Sequence, residues 1–168
     1  MVETKRSVLD KINQPGPDDL VFFYPKEFSV FDNFSAYQIE YDGFLWPTSE
    51  HAYQAARFKD VSPHIVDFIK NAKSAHDAQK IARDYRSQQI PDWDNRKKEV
   101  MKEIIRHKLD QHSYVLEKLL KTGDRIIIED SWRDSEWGWG KEKDGKNLLG
   151  NIWMELRQEY IEIMTAQY

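Results

Sequence analysis

The chain has 168 residues, of which 40% are hydrophobic and 32% charged. That suffices for one apolar core, and no apolar run is long enough to span a bilayer. Lys and Arg number 25 against 29 Asp and Glu, so the formal charge of −4 argues against a surface that holds a nucleic-acid duplex by its phosphates. Cysteine is absent, which excludes a disulfide framework, a cysteine-based zinc site and a thiol nucleophile.

Residues 1–19 are polar, with Pro15-Gly16-Pro17 near their end, and read as a loose lead-in to one domain over 20–168. No apolar signal segment follows the first residues, so a cytoplasmic location is expected. Leu20 to Tyr24, stopped by Pro25, suits a buried strand. Tyr37 to Tyr41 and Phe44 to Trp46 flank Asp42-Gly43, the strongest short signal for a hairpin. Thr48 or Ser49 is a cap for a helix running to about Asp60. Shorter helices are predicted over 63–71 and 75–86, the second capped by Ser74. A long helix over 95–121 carries Met101, Ile104, Ile105, Leu109, Leu116 and Leu119 at helical spacing, and Gly123 ends it. Arg125 to Glu129 reads as a strand, 130–147 as a loop, and 148–164 as a helix burying Leu149, Ile152, Trp153, Leu156 and Tyr160. The sum is an α+β fold, a single mainly helical domain with a small β-sheet.

Three features could carry chemistry. The 130–147 loop is long, and it sets Glu129 and Asp134 beside Trp137-Gly138-Trp139-Gly140. Carboxylates can stabilise a sugar cation while indole rings stack on a base. The same stretch also fits a solvated acidic loop whose indoles close the core. Glu50, Gln54 and Arg57 share one helix face at i, i+4 and i+7, bordered by Tyr53, with His51 on the neighbouring inward face. Alone, such a run is equally a solvated surface. Lys108 falls on the apolar side of the long helix, where desolvation would favour its neutral, nucleophilic form. The bland alternative is a stem with its ammonium in water. No metal-ligand spacing and no Gly-rich phosphate loop is present, so neither metal nor cofactor is expected.

Several segments recur in a characteristic order. They are Phe31-Asp32-Asn33-Phe34-Ser35, then Trp46-Pro47-Thr48-Ser49-Glu50-His51-Ala52-Tyr53-Gln54-Ala55, then Arg83, Trp93, Met101 and Lys108. Thr122-Gly123, Glu129, Asp134, Trp137-Gly138, Gly145, Asn147, Gly150 and Met154 to Arg157 follow. Over about residues 20 to 160 the chain resembles the YbiA-like N-glycosidases, also called the NADAR family for proposed links to NAD and ADP-ribose. The resemblance implies hydrolysis of a C–N bond between ribose and a base-like amine. One branch acts on phosphoribosylamino-pyrimidine intermediates of riboflavin synthesis, another on ADP-ribosylated guanine, including guanine in nucleic acid. It implies a small-molecule nucleotide or ribosylated base as the partner, and no membrane. Glu50, Lys108 and Asp134 are the implied catalytic residues. Asn33, Phe34, Trp46, His51, Gln54, Arg57, Arg83, Trp93, Glu129, Trp137, Gly138 and Asn147 are the implied substrate-binding set. In that scheme Arg57 or Arg83 meets a phosphate and Trp137 or Trp93 stacks on the base. Glu50 or Asp134 activates water, or Lys108 captures the opened sugar as a Schiff base.

The chain departs from the family pattern in two places. Arg57-Phe58 stands where the family has Lys-Phe, and arginine cannot form a Schiff base. Ala82-Arg83 replaces Gly-Arg. The first departure keeps open a non-catalytic module that binds ADP-ribose or NAD. A helical adaptor would explain the core stripes but leave the Trp-Gly loop without a purpose.

Overall fold

The computed structural model describes residues 18–23 and 27–167. Most of the polar lead-in, and the Tyr24-Pro25 stop, lie outside the described residues. Four short strands and six α-helices make the described chain α+β and mainly helical, as expected. It divides into two compact units. One is residues 30–116; the other joins residues from 117 onward with those up to Ser29.

A 3-10 turn at Ser29–Phe31 leads into the 30–116 unit, which then forms a hairpin, β2 (Ile39–Tyr41) against β3 (Phe44–Trp46). Asp42 and Gly43 both have positive φ, at 53° and 80°, the backbone that a two-residue hairpin turn needs to match strand twist. Trp46 is buried, and its Nε1–H donates to the Tyr41 carbonyl at 2.9 Å, which locks the register. Helix α1 (Ser49–Ala56) follows. It packs on α2 (Pro63–Lys70), α3 (Ala75–Asp84) and α4 (Trp93–Gln111), with Ile39, Phe58, Ile65, Ile69, Ile104 and Ile105 in the core. Ser74 caps α3 as expected, accepting the Asp77 N–H.

Two helix ends differ from expectation. α1 stops at Ala56 rather than Asp60, because the Arg57 carbonyl accepts the Ile90 N–H at 2.7 Å instead of continuing the helical ladder. The helix expected over 95–121 is two helices, α4 and α5 (Ser113–Lys121), broken at His112, whose backbone is extended. The His112 ring is held by Nε2 against the Gln38 carbonyl at 2.6 Å and edge-on to Tyr37. Restarting the helix there shifts its phase, so Val115 is fully buried and Leu116 only half-buried.

In the other unit, β1 (Leu20–Phe22) pairs parallel with β4 (Ile126–Ile128), Val21 opposite Ile127. The two strand pairs are separate sheets. Helix α6 (Leu148–Ala166) lies on β4 and buries Leu149, Ile152, Trp153 and Leu156. Gly150 makes that approach possible: a Cβ there would stand 2.1 Å from the Ile127 carbonyl oxygen. Gly150→Ala is therefore expected to lose about 1–3 kcal/mol of stability, as overpacking does, read from urea midpoints at unchanged m-value.

Candidate active site

In the 30–116 unit, the turn after the hairpin sets the first residues of α1. The Thr48 side chain accepts the His51 N–H at 3.3 Å, and its Oγ1 lies 2.8 Å from His51 Nδ1. His51 Nε2 lies 3.1 Å from the Ala72 carbonyl. A carbonyl only accepts, so Nε2 carries the proton and Nδ1 receives the Thr48 hydroxyl. Burial lowers the pKa of His51, which fits this neutral tautomer. His51 thus fastens α1 to the segment before α3, and its ring nitrogens are both engaged inside the protein.

Glu50 is only 4% exposed, and its N–H donates to the Asn33 carbonyl at 3.1 Å. Gln54 Nε2 donates to Glu50 Oε1 at 2.7 Å. Arg57 Nη1 donates to Gln54 Oε1 at 2.8 Å, and Arg57 Nε and Nη2 both donate to Gln89 Oε1, at 3.1 and 2.7 Å. The guanidinium sits 5.9 Å from the centre of the Trp93 ring, whose other neighbour is Tyr53 at 5.3 Å. Burial lowers the pKa of Arg57 from its ordinary value, yet a guanidinium stays charged at neutral pH. The helical spacing of Glu50, Gln54 and Arg57 therefore becomes one hydrogen-bonded chain that ends on a carboxylate. Gln89 belongs to it although local sequence gives no sign of this.

Asn33 joins Glu50 to the early loop. The residue is 6% exposed; Nδ2 points to Met101 Sδ at 3.3 Å, and Oδ1 is buried with no hydrogen-bond partner. Next to it, Phe34 exposes 40% of its surface, and its N–H is held by Asp32 Oδ1 at 2.9 Å. Lys108 lies wholly inside. Its Nζ donates to Ser35 Oγ at 2.9 Å and to the Asp32 carbonyl at 3.2 Å, and it stands 5.1 Å from the Tyr37 ring centre. Burial drives its pKa from 10.5 down to about 7, opposed by the Asp32 carboxylate, whose own pKa burial raises. Asp32 and Ser35 stand in the early motif, but their link to Lys108 spans more than seventy residues and could not be read from the sequence.

Trp46, Trp93 and Arg83, also of the implied set, lie in this unit. Trp46 is a buried hairpin lock. Trp93 is 4% exposed beneath Arg57 and Tyr53, so its faces serve the protein. Arg83 stands exposed on α3, its Nε 3.9 Å from Asp84 Oδ1.

In the other unit, the 130–147 loop is tightly organised. Trp139, Asn147, Leu148 and Leu149 donate their N–H groups to the carbonyls of Glu129, Gly138, Glu136 and Trp137. Asp134 Oδ1 accepts the N–H groups of Glu136 and Trp137, both at 2.8 Å. The Asn147 amide bridges the end of β4, donating to the Ile127 carbonyl and accepting the Glu129 N–H. A Cβ at Gly138 would meet the Glu129 carbonyl at 2.8 Å. Asp134, Gly138 and Asn147 thus hold the loop together around half-buried Trp137 and Glu129. Asp134→Asn keeps the accepting oxygen and Asp134→Ala loses it. Asp134→Asn is therefore expected to retain most activity while Asp134→Ala costs about 1–2 kcal/mol of stability. Steady-state rates and melting curves of the pair check this. Equal loss of activity in both would return the carboxylate charge to a catalytic role.

Among the described residues no group of three His, Cys, Asp or Glu side chains could hold a metal, and no helix is long and apolar enough to cross a membrane. The NADAR domain model matches residues 20–160. The N-glycosidase YbiA of Escherichia coli is 35% identical over 144 residues, which span 84% of this chain and 89% of that protein. A riboflavin biosynthesis protein of Vibrio vulnificus is 38% identical over 144 residues, covering 85% of this chain and 39% of its own length. The NMR structure of E. coli YbiA superimposes with a TM-score of 0.79 at 34% identity, over 90% of this chain and 89% of that one. With the domain model matching residues 20–160 and relatives about 35% identical over most of its length, the protein belongs to the NADAR domain family.

Proposed function

We propose that this protein is a hydrolase that cleaves the N-glycosidic bond between a ribose and a base-like amine. The observation that carries the reading is Glu50, a carboxylate almost completely withdrawn from water and fixed by a directed hydrogen bond from Gln54. Breaking the C–N bond leaves positive charge on the anomeric carbon, and an oriented carboxylate in a dry site stabilises it far better than water does. The bonding pair leaves with the amine nitrogen, which takes a proton from solvent water as it departs, a proton that Glu50 returns to solvent after the attack. A water oxygen then bonds to the anomeric carbon, and its proton passes to Glu50. Phe34 offers an exposed ring to the base, and the buried Asn33 Oδ1 offers an acceptor to a substrate hydroxyl or amine.

A phosphoribosylamino-pyrimidine is the favoured substrate. Relatives named as an N-glycosidase and as a riboflavin biosynthesis protein support it. This reading goes with a cytoplasmic location, because phosphate esters of that kind do not cross bilayers unaided. The test is to incubate the purified protein with the phosphoribosylamino-pyrimidine and, separately, with ADP-ribosylated guanine, and to follow the products by mass spectrometry. Release of ribose phosphate from the first supports the reading. Release of ADP-ribose alone moves the substrate to modified guanine, and cleavage of neither sinks the hydrolase.

A further inference from the structure

We propose that Gln89 is a positioning residue for Glu50, acting as a hydrogen-bond acceptor for the Arg57 fork and through it fixing which end of the Gln54 amide faces the carboxylate. The inference rests on the N-glycosidase reading of Glu50.

The direction of each hydrogen bond is forced by chemistry. A guanidinium has donors and no acceptor. Whatever Arg57 touches must therefore present oxygen, and it touches Oε1 of both Gln54 and Gln89. With its oxygen committed to Arg57, Gln54 has only its amide N–H bonds to turn toward Glu50, 2.7 Å away. Without Arg57 in place, the amide could flip and set its oxygen against the carboxylate, a repulsive contact in a site with little water. Gln89 holds Arg57 in place. Two N–H groups of the fork converge on its oxygen, while Trp93 supports the guanidinium from one side. The backbone adds a second tie one residue on, from the Ile90 N–H to the Arg57 carbonyl at 2.7 Å. Lysine at this position would be a point charge with no fork, and could not meet both glutamines in this planar arrangement. Gln89 is thus a partner that uses the arginine's shape. The other groups whose charge acts on Arg57 are Tyr53, Arg86, Glu50 and Asp94.

In a rival role, Arg57 would meet a substrate phosphate and Gln89 would be incidental. Gln89→Leu and Gln89→Glu separate the two. Glutamate keeps an accepting oxygen for the fork, and leucine does not. If Gln89 positions Glu50, Gln89→Leu lowers kcat by about tenfold with KM changed less than about twofold, the loss of one charge-assisted hydrogen bond. Gln89→Glu stays within about twofold of the parent in both constants. The acid limb of the pH–kcat profile moves upward in Gln89→Leu and not in Gln89→Glu, because a carboxylate that loses a donor holds its proton to higher pH. A rise in KM for the phosphorylated substrate in Gln89→Glu, with kcat intact, overturns the proposal, since neutralising Arg57 would then have cost substrate binding. An unchanged kcat and acid limb in Gln89→Leu overturns it equally. Titration of the Glu50 carboxyl carbon by 13C NMR reads the same displacement with no substrate present. It should move upward in Gln89→Leu only, provided both variants keep the parent's amide spectrum elsewhere. A parent protein that cleaves neither substrate removes the N-glycosidase reading, while the NMR titration still decides the role of Gln89.

Discussion

Glu50→Gln is expected to lower kcat by about 10²–10⁴ while the fold survives. The substitution is nearly isosteric. Its side-chain oxygen can still accept the Gln54 amide proton now received by Glu50 Oε1 at 2.7 Å, and its N–H still donates to the Asn33 carbonyl. What disappears is the negative charge, and with it both the stabilisation of a cationic anomeric carbon and the base for water. Removing a buried charge also removes a desolvation cost, so the melting temperature should stay level or rise. A fall in rate without a fall in stability is the signature of a group retained for chemistry. The measurement is kcat on the phosphoribosylamino-pyrimidine beside thermal melting of the same preparation. More than about a tenth of the parent rate in Glu50→Gln would remove Glu50 from the reacting atoms.

What the sequence disclosed, and what it hid, follows from the range of each interaction. The β2–β3 hairpin was legible because Asp42-Gly43 supplies the positive φ of the turn within two residues. The Ser74 cap of α3 was legible for the same reason, its partner Asp77 being three residues away. Glu50, Gln54 and Arg57 could be put on one face from helical geometry alone. Whether that face was solvated could not be read, because the answer lies with Gln89, 32 residues beyond Arg57, and with Asn33 in the preceding loop. The break at His112 was hidden likewise. Its residues continue the helical pattern, and the groups that hold the interrupting ring, Tyr37 and the Gln38 carbonyl, lie more than seventy residues earlier. In the 130–147 loop the carboxylate and indoles suggested chemistry. The structure adds that Asp134, Gly138 and Asn147 close the loop on itself, through contacts the residue types alone do not reveal.

Lys108 shows how a buried ionisable group leaves a mark on stability that pH can read. Its folded pKa of about 7 lies below the ordinary 10.5 because burial penalises the charged amine. Between those values the unfolded chain binds the proton and the folded one does not, so stability rises with pH across that window. The slope from this one group is at most about 1.4 kcal/mol per pH unit. Below about pH 7 both states are protonated, the slope vanishes, and the folded protein carries the full cost of the buried charge. Lys108→Met keeps the volume and abolishes the titration. Urea unfolding from pH 6 to 9.5 should give a rising stability for the parent and a flatter line for the variant, with the difference between them isolating Lys108 from every other titrating group. Parallel lines would mean that the amine keeps its ordinary pKa inside the fold. The position of Nζ between Ser35 Oγ and the Asp32 carbonyl, with no exposed surface, makes Lys108 the bolt of the loop that presents Asn33 and Phe34. A Schiff base with opened ribose would require that bolt to be drawn. Borohydride added during turnover is therefore expected to leave Lys108 unmodified, and a ribosyl adduct mapped to it would restore the amine to the reaction.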